Sequence, residues 1–533
     1  MTSALPRTTP FVNEPIRTFA SAPECAAMEA ALDRARARFG QHYPVVIGGR
    51  AIETVARIES RNPARPSDIV GSVGSASVEH ARTAVETAAR VFETWKRTSA
   101  DERAAYLFAA AEGIRQRRDD FNALLVFEVG KTWIEADADT AEAIDFLEFY
   151  AREALRYANP PHPTPVAGEE NRLTYLPLGV GIVIPPWNFA FAIMAGMTTA
   201  ALVAGNTVVL KPSSDSPLIA AVFVDLLTEV GVPAGVVNFV PGSGRAIGDA
   251  LVAHPKTRFV AFTGSKEVGL HINELAAKPQ SGQIWIKRVI AEMGGKDSIV
   301  VAADADLDAA ADAIVASAFG FAGQKCSACS RAIIDSAVYG AVEQKIVDRT
   351  LALTLGDPVE RGVFVGPVIN EAALETILGY VDTALAEGGR LVAGGKRAEG
   401  EGYVIEPTII SGVLPDATIA QAEIFGPVLA LIEAPNYEHA LAIANNTEFG
   451  LTGSVFSTDD VKLERARDDF HVGNLYFNRK CTGALVGAHP FGGFNMSGTD
   501  SKAGGYDYLM LFTQAKLVSA KRAGAGNGRA GGE

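Results

Sequence analysis

Two thiols lie three residues apart in the segment GQKCSACSR (323–331), as Cys326 and Cys329. A cysteine becomes a nucleophile when N–H donors, a cation or a base lie close to it, and Lys325 is adjacent in the sequence. The spacing fits a redox pair, or one nucleophilic thiol beside a buried, inert neighbour. A zinc site is disfavoured because the sequence offers no second CxxC or CxxH pair. Two inert core cysteines also fit these nine residues, so the segment alone leaves the choice open.

An amide and a carboxylate elsewhere in the chain could serve such a thiol. PPWNF (185–189) follows an apolar run that predicts a strand, which places Asn188 at the carboxyl end, on the ligand side. A side-chain amide there can stabilise a developing oxyanion. AEMGGK (291–296) sets Glu292 before a Gly-Gly turn, where a lone carboxylate can act as a general base. An exposed glutamate at a turn is the plainer alternative.

Two glycine-containing turns could hold phosphates. GSGRAIG (242–248) follows a predicted strand and opens a helix, but it is one residue longer than the dinucleotide fingerprint. FTGS (262–265) ends the next strand, and Ser265 there could bind a pyrophosphate or simply cap a helix. Lys211 ends another strand and is expected to point toward the same crevice, unless it is a solvated surface charge. Together the turns favour nucleotide binding.

These residues depend on an alternation of strands and helices. Amphipathic spacing predicts helices in the first third, over 77–96, 99–118 and 121–157, and NPPHPT (159–164) ends the last of them. Strands are then predicted over 178–184, 206–211, 235–240 and 257–263, with helices over 190–204, 217–230, 245–253 and 266–277. This alternation predicts a parallel sheet covered on both faces. A second α/β section runs from 298 to about 475.

Composition excludes several classes of protein. The chain has 533 residues, 48% of them hydrophobic, which fits two or three packed domains. A net charge of −14 disfavours nucleic-acid binding. Four cysteines favour a reducing, cytoplasmic setting. The first residues lack the apolar core of a secretory signal, and the apolar stretch 189–205 is shorter than the ~20 residues of a membrane span, so no membrane partner is expected.

The order of these motifs is more specific than any one of them. PPWNF, LKP, GSGRAIG, FTGS, EMGGK, GQKC, EIFGPV (423–428) and PFGG (490–493) follow one another as in the NAD(P)-dependent aldehyde dehydrogenase superfamily, which the chain resembles over roughly 45–520. The resemblance implies an α/β fold with a Rossmann-type nucleotide domain, an α/β catalytic domain and a small β oligomerisation flap. The implied boundaries are 20–155 with 177–290 for the nucleotide domain, 291–488 for the catalytic domain, 156–176 with 489–520 for the flap and anchor segment, and 521–533 for a disordered tail.

The resemblance also implies residue roles. Cys326 would be the nucleophile, Glu292 the base and Asn188 part of the oxyanion hole, whereas Cys329 would have no role. Lys211 and Glu423 would hold the cofactor riboses. The implied cofactor contacts are Ile184, Pro186, Trp187, Lys211, Ser213, Ser214, Gly244, Gly248, Phe262, Thr263, Gly264, Ser265, Met293, Gly294, Glu423 and Phe425. The implied substrate contacts are Glu142, Phe189, Ser327, Gly504, Gly505 and Phe512. No metal is implied.

Three stretches narrow the expected activity. Residues 283–297, 318–331 and 496–509 resemble the 1-pyrroline-5-carboxylate dehydrogenases, which implies oxidation of L-glutamate γ-semialdehyde to L-glutamate, the last step of proline breakdown. The length fits the monofunctional type. Ser214 stands where many NAD-preferring relatives carry Glu, so NAD is expected with NADP tolerated. A homo-oligomer, a dimer or a multiple of dimers, is implied. The alternatives are a dehydrogenase for another semialdehyde such as succinic semialdehyde, or a CxxC thiol-redox protein.

Overall fold

The computed structural model describes residues 9–521. The predicted disordered tail, 521–533, lies outside the described residues except for Lys521, which ends a strand. The strands are β1 (Gln41–Tyr43), β2 (Val45–Ile47), β3 (Arg50–Ile52), β4 (Arg57–Asn62), β5 (Arg65–Gly74), β6 (Glu169–Pro177), β7 (Val180–Ile184), β8 (Thr207–Leu210), β9 (Val237–Phe239), β10 (Thr257–Thr263), β11 (Arg288–Glu292), β12 (Ser298–Val301), β13 (Arg331–Asp335), β14 (Arg390–Ala393), β15 (Thr408–Ser411), β16 (Val428–Ala434), β17 (Phe449–Gly450), β18 (Thr452–Phe456), β19 (Asn474–Phe477), β20 (Phe494–Asn495) and β21 (Thr513–Lys521).

The α-helices are α1 (Ala22–Arg36), α2 (Val78–Trp95), α3 (Ala100–Gln116), α4 (Arg118–Val129), α5 (Trp133–Tyr157), α6 (Ala192–Val203), α7 (Pro217–Glu229), α8 (Asp249–Ala253), α9 (Lys266–Ala277), α10 (Leu307–Phe319), α11 (Tyr339–Leu351), α12 (Glu371–Ala386), α13 (Thr418–Gln421), α14 (Tyr437–Asn445) and α15 (Asp460–Asp469). A π-helical turn covers Gly244–Gly248, and 3₁₀ turns cover Gly320–Gly323 and Tyr508–Phe512.

Two seven-stranded sheets form the centre of the molecule. The first has the order β11-β10-β7-β8-β9-β2-β3, and its first five strands are parallel. The second has the order β14-β15-β16-β13-β12-β18-β19, and it is parallel except for β14. The predicted parallel sheet and the second α/β section are therefore confirmed. The domain boundaries given above remain a prediction.

Both faces of the first sheet are covered, as its continuous apolar strands predict. Val183 and Leu210 belong to the core that contains α6 and α7. Ile182 and Val209 belong to the core on the other face, which contains α2, α8 and α9. Because side chains alternate along a strand, neighbouring residues serve different cores.

The early helices match their predicted spans with one exception. Ser99 accepts a hydrogen bond from the Glu102 N–H and so caps α3. The helix predicted over 121–157 is two helices, because Gly130 ends α4 with a left-handed φ of 70°. A Cβ at this glycine would lie 2.8 Å from Pro367 Cγ, so the chain turns where no side chain fits.

Residues after α5 form a separate antiparallel ribbon. Strand β6 pairs with β21 over nine residues, from Glu169 with Lys521 to Pro177 with Thr513. This ribbon connects the start of the first sheet to the C-terminal segment. Within residues 9–521, no helix combines the length and the apolar character needed to cross a membrane.

Candidate active site

The segment that carries Cys326 is held rigidly by its neighbours. It leaves the 3₁₀ turn Gly320–Gly323, where a Cβ at Gly323 would lie 2.3 Å from the Gly426 carbonyl oxygen. The buried Gln324 side chain accepts a hydrogen bond from the Ile369 N–H at 2.9 Å and donates one to the Pro367 carbonyl at 3.2 Å. The glycine and glutamine before the thiol therefore position it.

The Asn188 amide lies against the same segment. Its Nδ2 donates to the Gln324 carbonyl oxygen at 2.9 Å, and the side chain is 4% exposed. A side-chain amide carries two N–H donors. One fixes the amide to the thiol segment, and the second can serve an oxyanion that forms at Cys326.

Glu292 ends strand β11 on the opposite wall. Its backbone pairs with Thr263 of β10 at the carboxyl edge of the first sheet. The Ser501 hydroxyl and the Gly493 N–H donate to its carboxylate. Burial is the main reason that the pKa of Glu292 is raised to about 8. A carboxylate with this pKa can take a proton near neutral pH and release it again.

The thiol opens on two cavities that meet at Cys326. The smaller has a volume of about 110 Å³. It is lined by Glu142, Phe146, Tyr150, Phe189, Ile193, Gly196, Met197, Thr263, Glu292, Met293, Cys326, Ser327, Gly483, Ala484, Phe491, Ala503 and Tyr508. The larger is a groove of about 660 Å³ along the carboxyl edge of the first sheet. Cys326, Thr263 and Met293 line both, so a molecule in either cavity can reach the sulfur.

The groove gathers the predicted cofactor contacts. Those that line it are Ile184, Pro186, Trp187, Lys211, Ser213, Ser214, Gly244, Phe262, Thr263, Gly264, Ser265, Met293, Gly294, Glu423 and Phe425. The exception is Gly248, which ends the π-helical turn and does not line the groove. Ser265 caps α9 by accepting from the Val268 N–H, so its side chain does take the plainer capping role as well.

Two charged side chains line the groove, the buried Lys211 and the half-buried Glu423. Burial lowers the pKa of Lys211 to about 8 and raises the pKa of Glu423 to about 7. Glu423 accepts a hydrogen bond from the Gly295 N–H at 3.1 Å. A Cβ at Gly294 would lie 2.0 Å from Glu423 Oε2, so only glycine lets the backbone come this close. Polar ligands such as ribose hydroxyls would give both charged groups the partners that burial withholds.

On the substrate side the structure places only part of the predicted set at the cavity. Glu142, Phe189 and Ser327 line it. Phe512 does not, because it is fully buried and packs edge to face against Phe259 and Tyr508; Tyr508 supplies the wall instead.

The predicted substrate contacts Gly504 and Gly505 also lie outside the cavity lining. The Gly504 N–H donates to the Tyr150 hydroxyl at 2.9 Å, and the Gly505 N–H donates to the Lys502 carbonyl at 2.9 Å. Both donors are therefore already used within the protein, and neither glycine lines the cavity.

The sequence did not predict ten of the residues that line the cavity, and three of these ten come from one loop. They are Gly483, Ala484 and Phe491, from the loop that joins β19 to β20. Phe491 belongs to the PFGG motif, and Gly483 has a left-handed φ of 78°. Gly483, seven residues before the PFGG motif, is the sequence feature that could have indicated a close-packed loop here.

The second thiol of the pair has a different environment. Cys329 is 1% exposed, and its sulfur donates to the Arg331 carbonyl at 3.4 Å and contacts Cys481. It is thus directed into the core, away from Cys326. For Cys326, burial and the nearby charges of Asp297 and Glu423 raise the pKa well above the ordinary thiol value. The arrangement favours one nucleophile beside a buried neighbour over a redox pair.

Comparisons with known proteins agree with this geometry. The model of the aldehyde dehydrogenase family matches residues 51–518. The 1-pyrroline-5-carboxylate dehydrogenase of Bacillus cytotoxicus is 55% identical over 96% of this chain and 99% of its own. A Thermus 1-pyrroline-5-carboxylate dehydrogenase solved with bound NAD superposes with a TM-score of 0.95 at 48% identity, covering 98% of this chain and 100% of its own. Betaine aldehyde dehydrogenase from Staphylococcus aureus, solved with NAD⁺, gives a TM-score of 0.87 at 28% identity over 93% of this chain and 97% of its own. The chain belongs to the aldehyde dehydrogenase family.

Proposed function

We propose that this protein oxidises L-glutamate γ-semialdehyde, the open form of 1-pyrroline-5-carboxylate, to L-glutamate with NAD, the last step of proline breakdown. The observation that carries the proposal is the position of Cys326, whose sulfur opens both on a long groove and on a small cavity that contains a carboxylate base. Relatives at 55% identity over almost the whole chain are 1-pyrroline-5-carboxylate dehydrogenases, which supports this substrate.

The groove residues fit a dinucleotide. Buried Lys211 and half-buried Glu423 carry charges that ribose hydroxyls can satisfy, and the glycines at 264 and 294 let a ligand approach the backbone closely. NAD bound there supplies a hydride acceptor. Ser214 lines the groove and carries no charge to repel a 2′-phosphate, so NAD is the expected cofactor with NADP tolerated.

The chain's own residues account for the remaining chemistry. The Cys326 thiolate attacks the aldehyde carbon and forms a thiohemiacetal, while Asn188 and a backbone N–H stabilise the oxygen anion. One such donor contributes roughly 3–4 kcal/mol to the transition state. After the hydride has left, the carbon is a thioester on Cys326. Glu292 removes a proton from water, the hydroxide adds to the thioester, and the thiolate leaves with release of the acid.

The small cavity can bind the α-carboxylate and the α-ammonium of the substrate. The Ser327 hydroxyl and the backbone at Gly483 and Ala484 offer donors for an α-carboxylate. Glu142 offers a carboxylate for an α-ammonium. Burial raises the pKa of Glu142 to about 8, and an ammonium group beside it would restore its charge.

Assembly and location complete the proposal. We propose a homo-oligomer, a dimer or a multiple of dimers, in which a second copy covers the ribbon of β6 and β21. Four free cysteines and the negative charge support a cytoplasmic enzyme that acts on a small molecule.

The test is NADH formation with a panel of aldehydes. Glutamate γ-semialdehyde should give the highest kcat/KM, and succinic semialdehyde, which lacks the ammonium, should be poorer. Glu142→Gln should reduce this preference, whereas Glu102→Gln, on the surface of α3, should not. Equal efficiency with both semialdehydes in the wild type would support a dehydrogenase of broader substrate range.

A further inference from the structure

The carboxylate of Glu292 has few partners for a buried group. Ser501 donates to Oε1 from its hydroxyl, and the Gly493 N–H donates as well. Oε2 is buried without a hydrogen-bond partner among residues 9–521. Glycines crowd both oxygens, since a Cβ at Gly492 would lie 2.9 Å from Oε1 and one at Gly498 would lie 3.2 Å from Oε2. Within the described chain, Ser501 is the side chain that donates a hydrogen bond to this carboxylate.

Ser501 is itself fixed in place. It is 3% exposed and lies in a loop that is clamped on both sides. Before it, the Thr499 N–H donates to the Ala291 carbonyl at 2.9 Å, and the Thr499 hydroxyl accepts from the Ala291 N–H at 3.0 Å. After it, Phe491 and Ala503 exchange two backbone hydrogen bonds. A hydroxyl held in this way needs little ordering to bind the carboxylate.

The charged and titratable groups around Glu292 come from several segments. Lys502 lies next to Ser501 and donates from Nζ to the Gly473 and Gly492 carbonyls. Its positive charge lowers the pKa of Glu292, and the charge of Asp500 raises it. Cys326 and Tyr508 also face the carboxylate, whose charge raises the pKa of both. Two groups favour the ionised base by direct contact, the Gly493 N–H and the Ser501 hydroxyl, and of these only the hydroxyl can be removed by substitution.

We infer that Ser501 is a positioning residue for Glu292, holding one carboxylate oxygen with its hydroxyl so that the other is left for the proton of the hydrolytic water. The inference rests on the proposed function, because it assigns Glu292 the hydrolysis of the thioester. In that step one water O–H bond breaks, the proton passes to Glu292, the hydroxide adds to the acyl carbon, and the C–S bond to Cys326 then breaks. Ser501 exchanges no atom with the substrate.

The inference predicts a shift of the pH profile. A base must be ionised, so turnover rises with pH through the pKa of Glu292. Removing the hydroxyl in Ser501→Ala removes a hydrogen bond to the charged form, which should move the acid limb of the kcat profile up by about one pH unit. The acylation burst of NADH and the KM for NAD should change little. Formation of the thioester and binding of NAD both precede the hydrolysis in which Glu292 removes a proton from water.

Two further variants separate positioning from packing. Ser501→Thr keeps a hydroxyl and should return the limb to the wild-type pH. Thr499→Val loses a hydroxyl from the same loop, but its bonds go to backbone groups and not to Glu292. This control should leave the limb in place even where the rate falls.

The profile should be recorded with glutamate γ-semialdehyde and also with an activated aryl ester. On the proposed mechanism, the ester should acylate Cys326 without NAD and release its phenol, and hydrolysis of the resulting thioester should still require Glu292. A shifted limb for Ser501→Ala with the ester, but no oxidation of any semialdehyde by the wild type, would keep this inference and reject the proposed substrate. An unshifted limb in Ser501→Ala with both substrates would overturn the inference.

Discussion

At the scale of single residues, environment separates two chemically identical thiols. Cys326 opens on both cavities and lies beside the Asn188-anchored segment. Cys329 is 1% exposed and contacts Cys481 in the core of the second sheet. Reactivity requires access to the substrate as well as a thiolate. This difference in environment favours one nucleophilic thiol over the redox pair that the three-residue spacing suggests.

This difference can be tested with matched substitutions. Cys326→Ala should abolish aldehyde oxidation, by at least about 10⁴-fold in kcat, because no other thiol lines the cavity within the described chain. NAD binding, followed by quenching of tryptophan fluorescence, should persist. Cys329→Ala should retain most of the activity. Comparable losses in both variants would restore the paired-thiol interpretation.

Glu292 should also affect stability in a pH-dependent way. Burial raises its pKa from the ordinary 4.5 to about 8, so the folded protein binds a proton that the unfolded chain has released between these values. The contribution of Glu292 to the free energy of unfolding is therefore fully present below about pH 4.5 and is lost as pH rises toward 8. Glu292→Gln removes this loss and should be more stable than the wild type at pH 8 by about 1–4 kcal/mol, with a smaller difference at pH 5.

The measurement is the thermal midpoint of both proteins from pH 5 to pH 8. Glu399→Gln, at an exposed turn, is the control, and its difference from the wild type should not vary with pH. If the difference in thermal midpoint between Glu292→Gln and the wild type does not vary with pH, ionisation of the buried carboxylate does not destabilise the folded protein.

The order of the motifs predicted the site residues that lie at strand ends or in tightly fixed turns. Asn188 and Cys326 line the groove, and Cys326 lines the small cavity together with Glu292 at the end of β11. The substrate walls were harder to predict because they depend on loop conformation. Tyr508 and Phe512 begin and end one 3₁₀ turn, and only the packing against Phe259 decides which ring faces the cavity.

At the scale of elements, the turn that joins β11 to β12 links the two sites. Glu292 precedes this turn on the substrate side, and Gly294 and Gly295 meet Glu423 on the groove side. The register of β10 with β11 sets Thr263, which lines both cavities, beside Glu292, which lines the smaller one. A short element thus fixes the base and the groove wall relative to each other.

This turn should tolerate no side chain at Gly294. In Gly294→Ala the new Cβ would lie 2.0 Å from Glu423 Oε2 and displace the carboxylate from the groove wall. Losing hydrogen bonds from a charged group costs about 1.5–3 kcal/mol, so the KM for NAD should rise about ten- to a hundredfold. Gly379→Ala, in helix α12 with open space around its Cβ, is the control and should be unaffected. An unchanged KM in Gly294→Ala would mean that Glu423 does not contact the cofactor.

Element positions were predicted well where the pattern was strong. The strand over 257–263 and the helix over 266–277 have the predicted bounds. The error over 121–157 arose because both halves are apolar with helical spacing, and the break depends on a glycine packed against Pro367, which is distant in sequence. Local periodicity carries no information about such a tertiary contact.

At the scale of the whole molecule, the ribbon of β6 and β21 is too exposed to be stable alone. Eight of the nine residues of β21 are exposed, among them Leu517 at 59% and Val518 at 48%. A two-stranded ribbon without cover is marginal in water. Exposed apolar residues on such a ribbon indicate contact with another protein surface. A second copy of the chain is the cover that the proposed oligomer supplies.

A charge in the middle of the ribbon should therefore dissociate the oligomer. Leu517→Glu buries a carboxylate in the proposed interface, and sedimentation velocity should show a smaller species than the wild type at the same concentration. Gln514→Glu adds the same charge to the same strand at a polar position and should keep the wild-type size. The ribbon also joins the segment before β7 to the segment after Phe512, so loosening it should lower kcat by disturbing the loop that carries Ser501. A Leu517→Glu protein of wild-type size would place the subunit contact elsewhere on the molecule.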